Sequence, residues 1–163
     1  MLSKSYFTKH NQGYTLLEVL VTATVIVMVT GLGIAMYSDY NRRVQLSSEA
    51  ESLALVIEEA IANARNGFKP NTCSDSLGGW IFTYQRNGTN TDTYSLDYLC
   101  GSQQERYQNF ETSLSFQSED SVTFAPVTGL HGATHTITLE NSQVESIQIT
   151  INASGIVNVG EVQ

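Results

Sequence analysis

The chain has 163 residues, with 16 acidic and eight basic side chains and a formal net charge of −8. This length suits one globular domain together with an anchor segment. The acidic balance argues against a nucleic-acid-binding protein, because such binding depends on Lys and Arg side chains that neutralise phosphates.

The N-terminal region combines a short polar segment with a long apolar one. Residues 1–13 contain two lysines, no acidic residue and a terminal Gly13, and Glu18 follows five residues later. Residues 19–38 contain no charged side chain, and an apolar run of about 20 residues is long enough to cross a bilayer. A carboxylate at the edge of such a run is costly, so we expect Glu18 to have a specific partner.

Two simpler interpretations of this region are less satisfactory. A cleaved secretory signal has a shorter apolar part and a small-residue cleavage site, which the sequence at Gly31-Leu32-Gly33 does not clearly supply. A plain signal anchor would leave Glu18 without a role.

The block Gly13-Tyr14-Thr15-Leu16-Leu17-Glu18, with the apolar run after it, resembles the N-terminal signature of type IV pilin-like precursors and pseudopilins. In that superfamily a prepilin peptidase cuts after the glycine, and the new N-terminal residue, usually Phe, is methylated. The resemblance covers roughly residues 1–45. It implies leader cleavage between Gly13 and Tyr14, and N-methylation of Tyr14, which is aromatic but departs from the usual Phe.

The same resemblance implies a role for Glu18 in assembly. In the family, glutamate at this offset pairs with the N-terminal amine of a neighbouring subunit. Cleavage would create an α-amine on Tyr14, with an ordinary pKa of about 7.7–8.0. Either charge alone in an apolar filament core would be strongly unfavourable, so the pair would fix the register between subunits.

The resemblance also implies the partners and the location of the protein. The expected partners are other pilin or pseudopilin subunits, the prepilin peptidase, an inner-membrane assembly platform and, before assembly, membrane lipid. Lys4 and Lys9 favour a cytoplasmic N-terminus, but Arg42 and Arg43 beyond the apolar run nearly balance them. The resemblance therefore implies a single-pass protein of the cytoplasmic membrane that later joins an extracellular or periplasmic filament.

Helical periodicity continues beyond the apolar run. Leu53, Ile57, Ala60, Ile61 and Ala64 recur at three- and four-residue steps, which predicts one apolar helix face. The helix should run over about residues 14–66, ending at Asn66-Gly67 with glycine at a C-terminal capping position. Its first half would face lipid and then the filament core, and its second half would pack on a sheet. Gly31 and Gly33 weaken the first half, and we expect bending or local melting there in a filament.

After Gly67 the pattern changes to strands and turns. The expected strands cover 80–84, 93–99, 114–116, 122–124, 134–139, 146–151 and 156–159. Asn87-Gly88 indicates a hairpin turn between the first two, and Asn152 to Gly155 indicates another turn before the last.

The C-terminal part carries a second resemblance. Phe124-Ala125-Pro126-Val127-Thr128-Gly129, the strands after it and the turn at Gly155 resemble pseudopilins of the GspH/FimT type. Some members of that family bind DNA through arginines near the terminal glycine turn. Residues 155–161 contain no Arg or Lys, which argues against direct DNA binding.

Two cysteines, Cys73 and Cys100, flank the first predicted hairpin. An even number in a predicted exported domain favours one disulfide, and two free buried thiols are the alternative. With a disulfide, residues 73–100 would form a cross-linked, surface-presented lobe. Its aromatic residues would pack in the sheet core, with an exposed adhesive patch as the alternative. These residues are Trp80, Phe82, Tyr84, Tyr94 and Tyr98.

The sequence contains few patterns that are typical of metal binding or catalysis. His131 and His135 are four residues apart, but their glycine- and threonine-rich surroundings predict loop and strand and argue against a metal site. No nucleophile-elbow motif occurs, so no catalytic residues and no cofactor are expected. Asn87-Gly88-Thr89 and Asn152-Ala153-Ser154 match the glycosylation pattern, which predicts little in a bacterial protein.

These observations predict an α+β, pilin-like fold in which a long N-terminal helix packs on an antiparallel β-sheet domain. The expected parts are a leader at 1–13, a helix at 14–67 and a β-rich domain at 68–163. The expected function is that of a minor pilin or pseudopilin in a type IV pilus or type II secretion system. The alternative is a membrane-anchored exported module that binds DNA or an adhesion partner.

Overall fold

The computed structural model describes residues 14–87, 91–129 and 132–163, and all side chains of α1 except those at positions 32, 33 and 35. Its first element is the helix α1, Leu16–Arg65. The chain divides into two compact units, one ending at Tyr40 and the other covering Asn41–Gln163. The second half of α1 therefore belongs to the same unit as all the strands.

The described side chains of the first unit are exposed throughout. α1 remains helical through Gly31, and the bending expected in a filament stays a prediction. In the second unit one face of α1 is buried, as the periodicity predicts. The buried positions are Leu46, Ala50, Leu53, Ala54, Val56, Ile57, Ala60, Ile61 and Ala64.

The end of α1 confirms the predicted glycine cap. Gly67 has a φ of 61°, a left-handed conformation that glycine adopts without a side-chain clash. The amide of Gly67 donates to the carbonyl of Ala64, and the amide of Phe68 donates to the carbonyl of Asn63. These two bonds define a Schellman motif, which satisfies carbonyls that the helix end leaves unpaired.

In the described part of the chain the strands form two antiparallel four-stranded sheets. The first contains β1 (Leu77–Gln85), β2 (Asp92–Cys100), β3 (Gln103–Thr112) and β5 (Asp120–Phe124), in the order β3-β2-β1-β5. The second contains β4 (Ser115–Phe116), β6 (His135–Glu140), β7 (Ser146–Ile151) and β8 (Val157–Val159), in the order β4-β6-β7-β8. Side chains from both sheets and from α1 share one buried cluster. The predicted α+β fold, with a long helix packed on antiparallel sheet, is confirmed.

Most strands lie where the sequence predicts them, with β7 matching residue for residue. The exception is β3, a ten-residue strand that the sequence analysis did not predict. β3 lies at the edge of its sheet and is mostly exposed, so its sequence lacks the apolar alternation that identifies a strand. A bulge opposite Leu96 and Asp97 also breaks its register.

Cys73 and Cys100 form a disulfide that ties the segment after α1 to the end of β2. Of the predicted loop features, Gly88 and His131 lie outside the described residues.

Candidate assembly site at the start of the helix

The first turn of α1 is capped by Thr15. The Oγ1 of Thr15 accepts a hydrogen bond from the amide of Glu18 at 3.2 Å, and its carbonyl accepts one from the amide of Val19 at 3.2 Å. Both bonds are typical of an N-cap residue. Thr15-Leu16-Leu17-Glu18 thus has the residue spacing of a capping box, with Glu18 at the third helical position. This capping spacing is a local sequence signal that marks the start of α1.

The Glu18 side chain is exposed at this helix start. Within the part of the chain that the structure describes, its carboxylate has no hydrogen bond or ion pair. The helix N-terminus carries a partial positive charge, which favours a carboxylate in the first turn. Glu18 therefore has a local electrostatic reason for its position, and its carboxylate stays available to a group from another molecule.

Tyr14 precedes the cap and is not helical. Its side chain is 82 % exposed, so it does not pack on the first turn of α1. Gly13, the predicted cleavage residue, lies outside the described residues. Cleavage after Gly13 and methylation of Tyr14 therefore stay predictions.

The surface that follows this site is apolar. Within the described residues, α1 is the one helix that is long enough and apolar enough to cross a membrane. Its apolar window has a mean hydropathy of 2.3. None of that window is buried. Thr22, Thr24 and Thr30 interrupt the apolar side chains, but each hydroxyl donates to a carbonyl one turn earlier in the helix. Their polar groups are thus satisfied within α1, as a lipid environment requires.

The GspH/FimT-like motif of the C-terminal part lies at the other end of α1. The amide of Val127 donates to the carbonyl of Ala64 at 2.7 Å, and Arg65 donates to the carbonyl of Ser154 at 2.9 Å. Gly129 and Gly155 pack so closely there that a Cβ on Gly155 would lie 3.0 Å from the Gly129 carbonyl oxygen. These contacts give both glycines a structural role in seating the end of α1.

The aromatic residues of the 73–100 segment are buried, as the preferred interpretation predicts. The alternative of an exposed patch made from these five side chains is wrong, because each of them packs in the core. Two other rings cover Trp80 from outside: Phe68, 44 % exposed, and Tyr107, 38 % exposed.

Burial and nearby carboxylates affect three tyrosines of this sheet. Burial raises the pKa of the Tyr84 hydroxyl, and the negative charge of Asp120 adds to the effect. Burial also raises the pKa of Tyr94, with a smaller contribution from Glu49. A hydrogen bond to Glu105 is the main reason why the pKa of Tyr98 is raised.

Two buried carboxylates were missed by the sequence analysis. Asp97 accepts hydrogen bonds from Ser95, Gln104 and Arg106 on the outer face of the first sheet. Asp92 accepts two backbone hydrogen bonds that join different parts of the unit. Nothing local in the sequence distinguishes these aspartates from exposed ones. Among the described residues, no group of His, Cys, Asp and Glu side chains is arranged to hold a metal ion.

Comparison with known proteins found no matching family model, no matching curated protein and no matching solved structure. The functional argument therefore depends on the chain's own residues.

Proposed function

We propose that this protein is a structural filament subunit, a minor pilin or pseudopilin of a type IV pilus or type II secretion system. In this proposal the precursor is cleaved after Gly13, resides in the cytoplasmic membrane through α1, and enters the filament through the same helix. The role requires subunit contacts and no catalysis.

The observation that carries the proposal is the exposed carboxylate of Glu18 at the start of the exposed, apolar first part of α1. In an apolar filament core an unpaired carboxylate would be strongly unfavourable. The α-amine that cleavage would create on Tyr14 of a neighbouring subunit supplies a partner of opposite charge. Pairing would then align each helix with the next.

The capping geometry makes a charge-specific test possible. The backbone amide of Glu18, and not its side chain, donates the hydrogen bond to Thr15. Glu18→Gln therefore keeps this hydrogen bond and removes only the negative charge. We expect Glu18→Gln to be cleaved and inserted into the membrane as the native chain is, but to be absent from filaments. Glu51→Ala, which also removes the charge of an exposed glutamate but farther along α1, is the control and should be incorporated normally.

Mass spectrometry of sheared filaments is the measurement. It should detect the native chain and the Glu51→Ala variant with a mature N-terminus at Tyr14. Normal incorporation of Glu18→Gln would refute the assembly role of the charge. A native chain that is cleaved and membrane-bound but never found in filaments would instead favour the anchored binding module.

A further inference from the structure

The loop between β6 and β7 holds an apolar side chain in an unusual conformation. Val144 has a φ of 64°, in the left-handed region that a β-branched residue rarely adopts. Its amide donates to the carbonyl of Asn141, and the amide of Asn141 donates to the carbonyl of Glu145. These bonds define a three-residue loop that usually has Gly at the left-handed position. Val144 is also 78 % exposed, so no packing in the folded unit explains its side chain.

Asn141 holds this loop in place. Its Oδ1 accepts hydrogen bonds from the amides of Gln143 and Glu145, at 2.9 and 3.1 Å, and its Nδ2 donates to the Glu145 carboxylate at 2.9 Å. The loop thus presents Val144 outward from a fixed backbone.

An ion pair places the loop beside the first helical turn of the globular unit. The Nε of Arg43 donates to the carboxylate of Glu145 at 2.9 Å. Arg43 is only five residues after Ser38, the last residue of the uncharged apolar run. The loop therefore lies at the end of the 41–163 unit from which the chain continues into the membrane-length part of α1.

The charge at this end differs from that of the whole protein. Arg42 and Arg43 nearly balance the acidic residues Asp39, Glu140 and Glu145, and residues 141–144 carry no charge, whereas the full chain has a net charge of −8. An uncharged tip is the part of an acidic protein that approaches a phospholipid surface at least electrostatic cost. Transfer of a valine side chain from water into an apolar environment lowers the free energy.

We propose that Val144 contacts the lipid surface while the subunit is anchored in the membrane, before filament assembly. The β6–β7 loop would then be a membrane-contact element of the globular unit. The proposal rests on the proposed membrane anchoring by α1 and adds a second lipid contact to it. The contact would lie at the boundary between headgroups and acyl chains, where exposed apolar side chains of peripheral elements bind.

Val127 provides a matched comparison within the same chain. It too is a valine with a positive φ, 71°, and is 76 % exposed. Its amide, however, bonds to Ala64, which is 21 residues after Arg43 on α1. At 1.5 Å per residue the two loops are roughly 30 Å apart along the helix, so Val127 should not reach the bilayer that Val144 touches.

The test uses the full chain, labelled at its methyl groups, in phosphatidylcholine nanodiscs that contain a lipid with a gadolinium-bearing headgroup. We expect the nuclear magnetic resonance signals of the Val144 methyl groups to be lost through paramagnetic broadening, and those of Val127 to remain. If both valines keep their signals, or if both lose them, a specific loop contact is refuted. A soluble gadolinium chelate tests the anchor separately: broadening of Ile26 would refute membrane insertion and the loop contact together.

Two variants distinguish the contribution of the Val144 side chain to the lipid contact from that of its neighbours. Asn tolerates the left-handed conformation, so Val144→Asn should keep the fold, as the native unfolding midpoint or a higher one would show. It should restore the backbone amide signal of Gln143, which the lipid label broadens in the native chain. Val127→Asn should leave that broadening unchanged. If Gln143 stays broadened in Val144→Asn, the arginines rather than the valine hold the loop at the lipid, and the proposal is wrong.

Discussion

At the scale of single residues, asparagine side chains organise the hairpin turns. Asn141 shapes the β6–β7 loop, and Asn152 shapes the next one, where its Oδ1 accepts hydrogen bonds from the amides of Ser154 and Ile156. The Ser154 hydroxyl also donates to the same oxygen at 2.7 Å. The glycosylation-like pattern Asn152-Ala153-Ser154 thus has a structural explanation, since Asn and Ser side chains commonly close turns in this way.

Asp92 is the buried residue whose loss should be most informative. It is 4 % exposed and accepts hydrogen bonds from the amides of Asn87, at 2.9 Å, and Phe116, at 2.7 Å. Asp92→Ala would leave both amides without this acceptor, so we expect the free energy of unfolding to fall by about 3 kcal/mol. Chemical denaturation measures the change. Asp75→Ala, at an exposed position, should change little, and equal effects of the two variants would contradict the argument.

Tyr84 should make the folded unit sensitive to alkaline pH. Its hydroxyl lies 3.0 Å from Nε2 of His135, and burial raises its pKa above the ordinary value of 10.0. Because the folded state holds this proton more tightly than the unfolded state, its contribution is complete below pH 10 and is lost as the pH rises through the folded pKa. The free energy of unfolding should therefore fall above pH 10.

The measurement is the unfolding free energy as a function of pH in the native chain and in Tyr84→Phe. The variant should lose part of the alkaline decline, because it has no hydroxyl to ionise. Tyr107→Phe, at an exposed ring, is the control. An identical alkaline decline in the native chain and in Tyr84→Phe would show that Tyr84 is not responsible.

At the scale of elements, the two ends of α1 are held by different means. Thr15 caps the N-terminal end within the helix itself, a few residues along the chain. The C-terminal end combines its own Gly67 cap with distant residues, because Val127 and Ser154 also bond to its last turn. The second half of α1 is therefore fixed by the sheets around it, whereas the first turn needs no tertiary contact.

Gly129 should be sensitive to substitution for two reasons that can be separated. Its φ is 64°, and an added Cβ would lie 2.5 Å from Cγ of Arg65 and 3.0 Å from the carbonyl oxygen of Ile61. Gly67 has nearly the same φ, 61°, but no atom within 4 Å of an added Cβ. We expect Gly67→Ala to lower the free energy of unfolding by about 1 kcal/mol and Gly129→Ala by about 2–4 kcal/mol. Thermal or chemical unfolding gives both values, and equal losses would mean that Arg65 and Ile61 move aside freely.

At the scale of the whole molecule, the described residues of the 41–163 unit share one core. The buried cluster contains α1 side chains together with Trp80 of the first sheet and Ile149 of the second. Among the residues that the structure describes, neither sheet has a separate core, so both should lose structure together.

This prediction is tested by following one unfolding transition with two probes. Trp80 fluorescence reports on the first sheet, and the methyl signal of Ile149 reports on the second. The two midpoints should coincide. Ile57→Ala should lower the free energy of unfolding by about 2–5 kcal/mol and shift both midpoints equally. Leu55→Ala, at a 64 % exposed position on the same helix, should have little effect. Two separate midpoints would show that the sheets are independent.

The sequence by itself determined α1, its glycine cap, the membrane-length run and seven of the eight strands found in the described residues, because periodicity, apolar length and turn residues are local properties of a chain. The signature around Gly13 and Glu18 is local too, and the proposed function depends on it. Only the tertiary structure decided the rest. β3 became a strand because β2 offers it a hydrogen-bonding edge, and Asp92 became buried because Phe116, 24 residues away, lies within reach. Val144 and Val127 both lie in ordinary loop sequences. The ion pair between Arg43 and Glu145, the residue after Val144, and the hydrogen bond from Val127 to Ala64 assign the two valines to opposite ends of the unit. Such features depend on which distant residues become neighbours, and no local pattern encodes that.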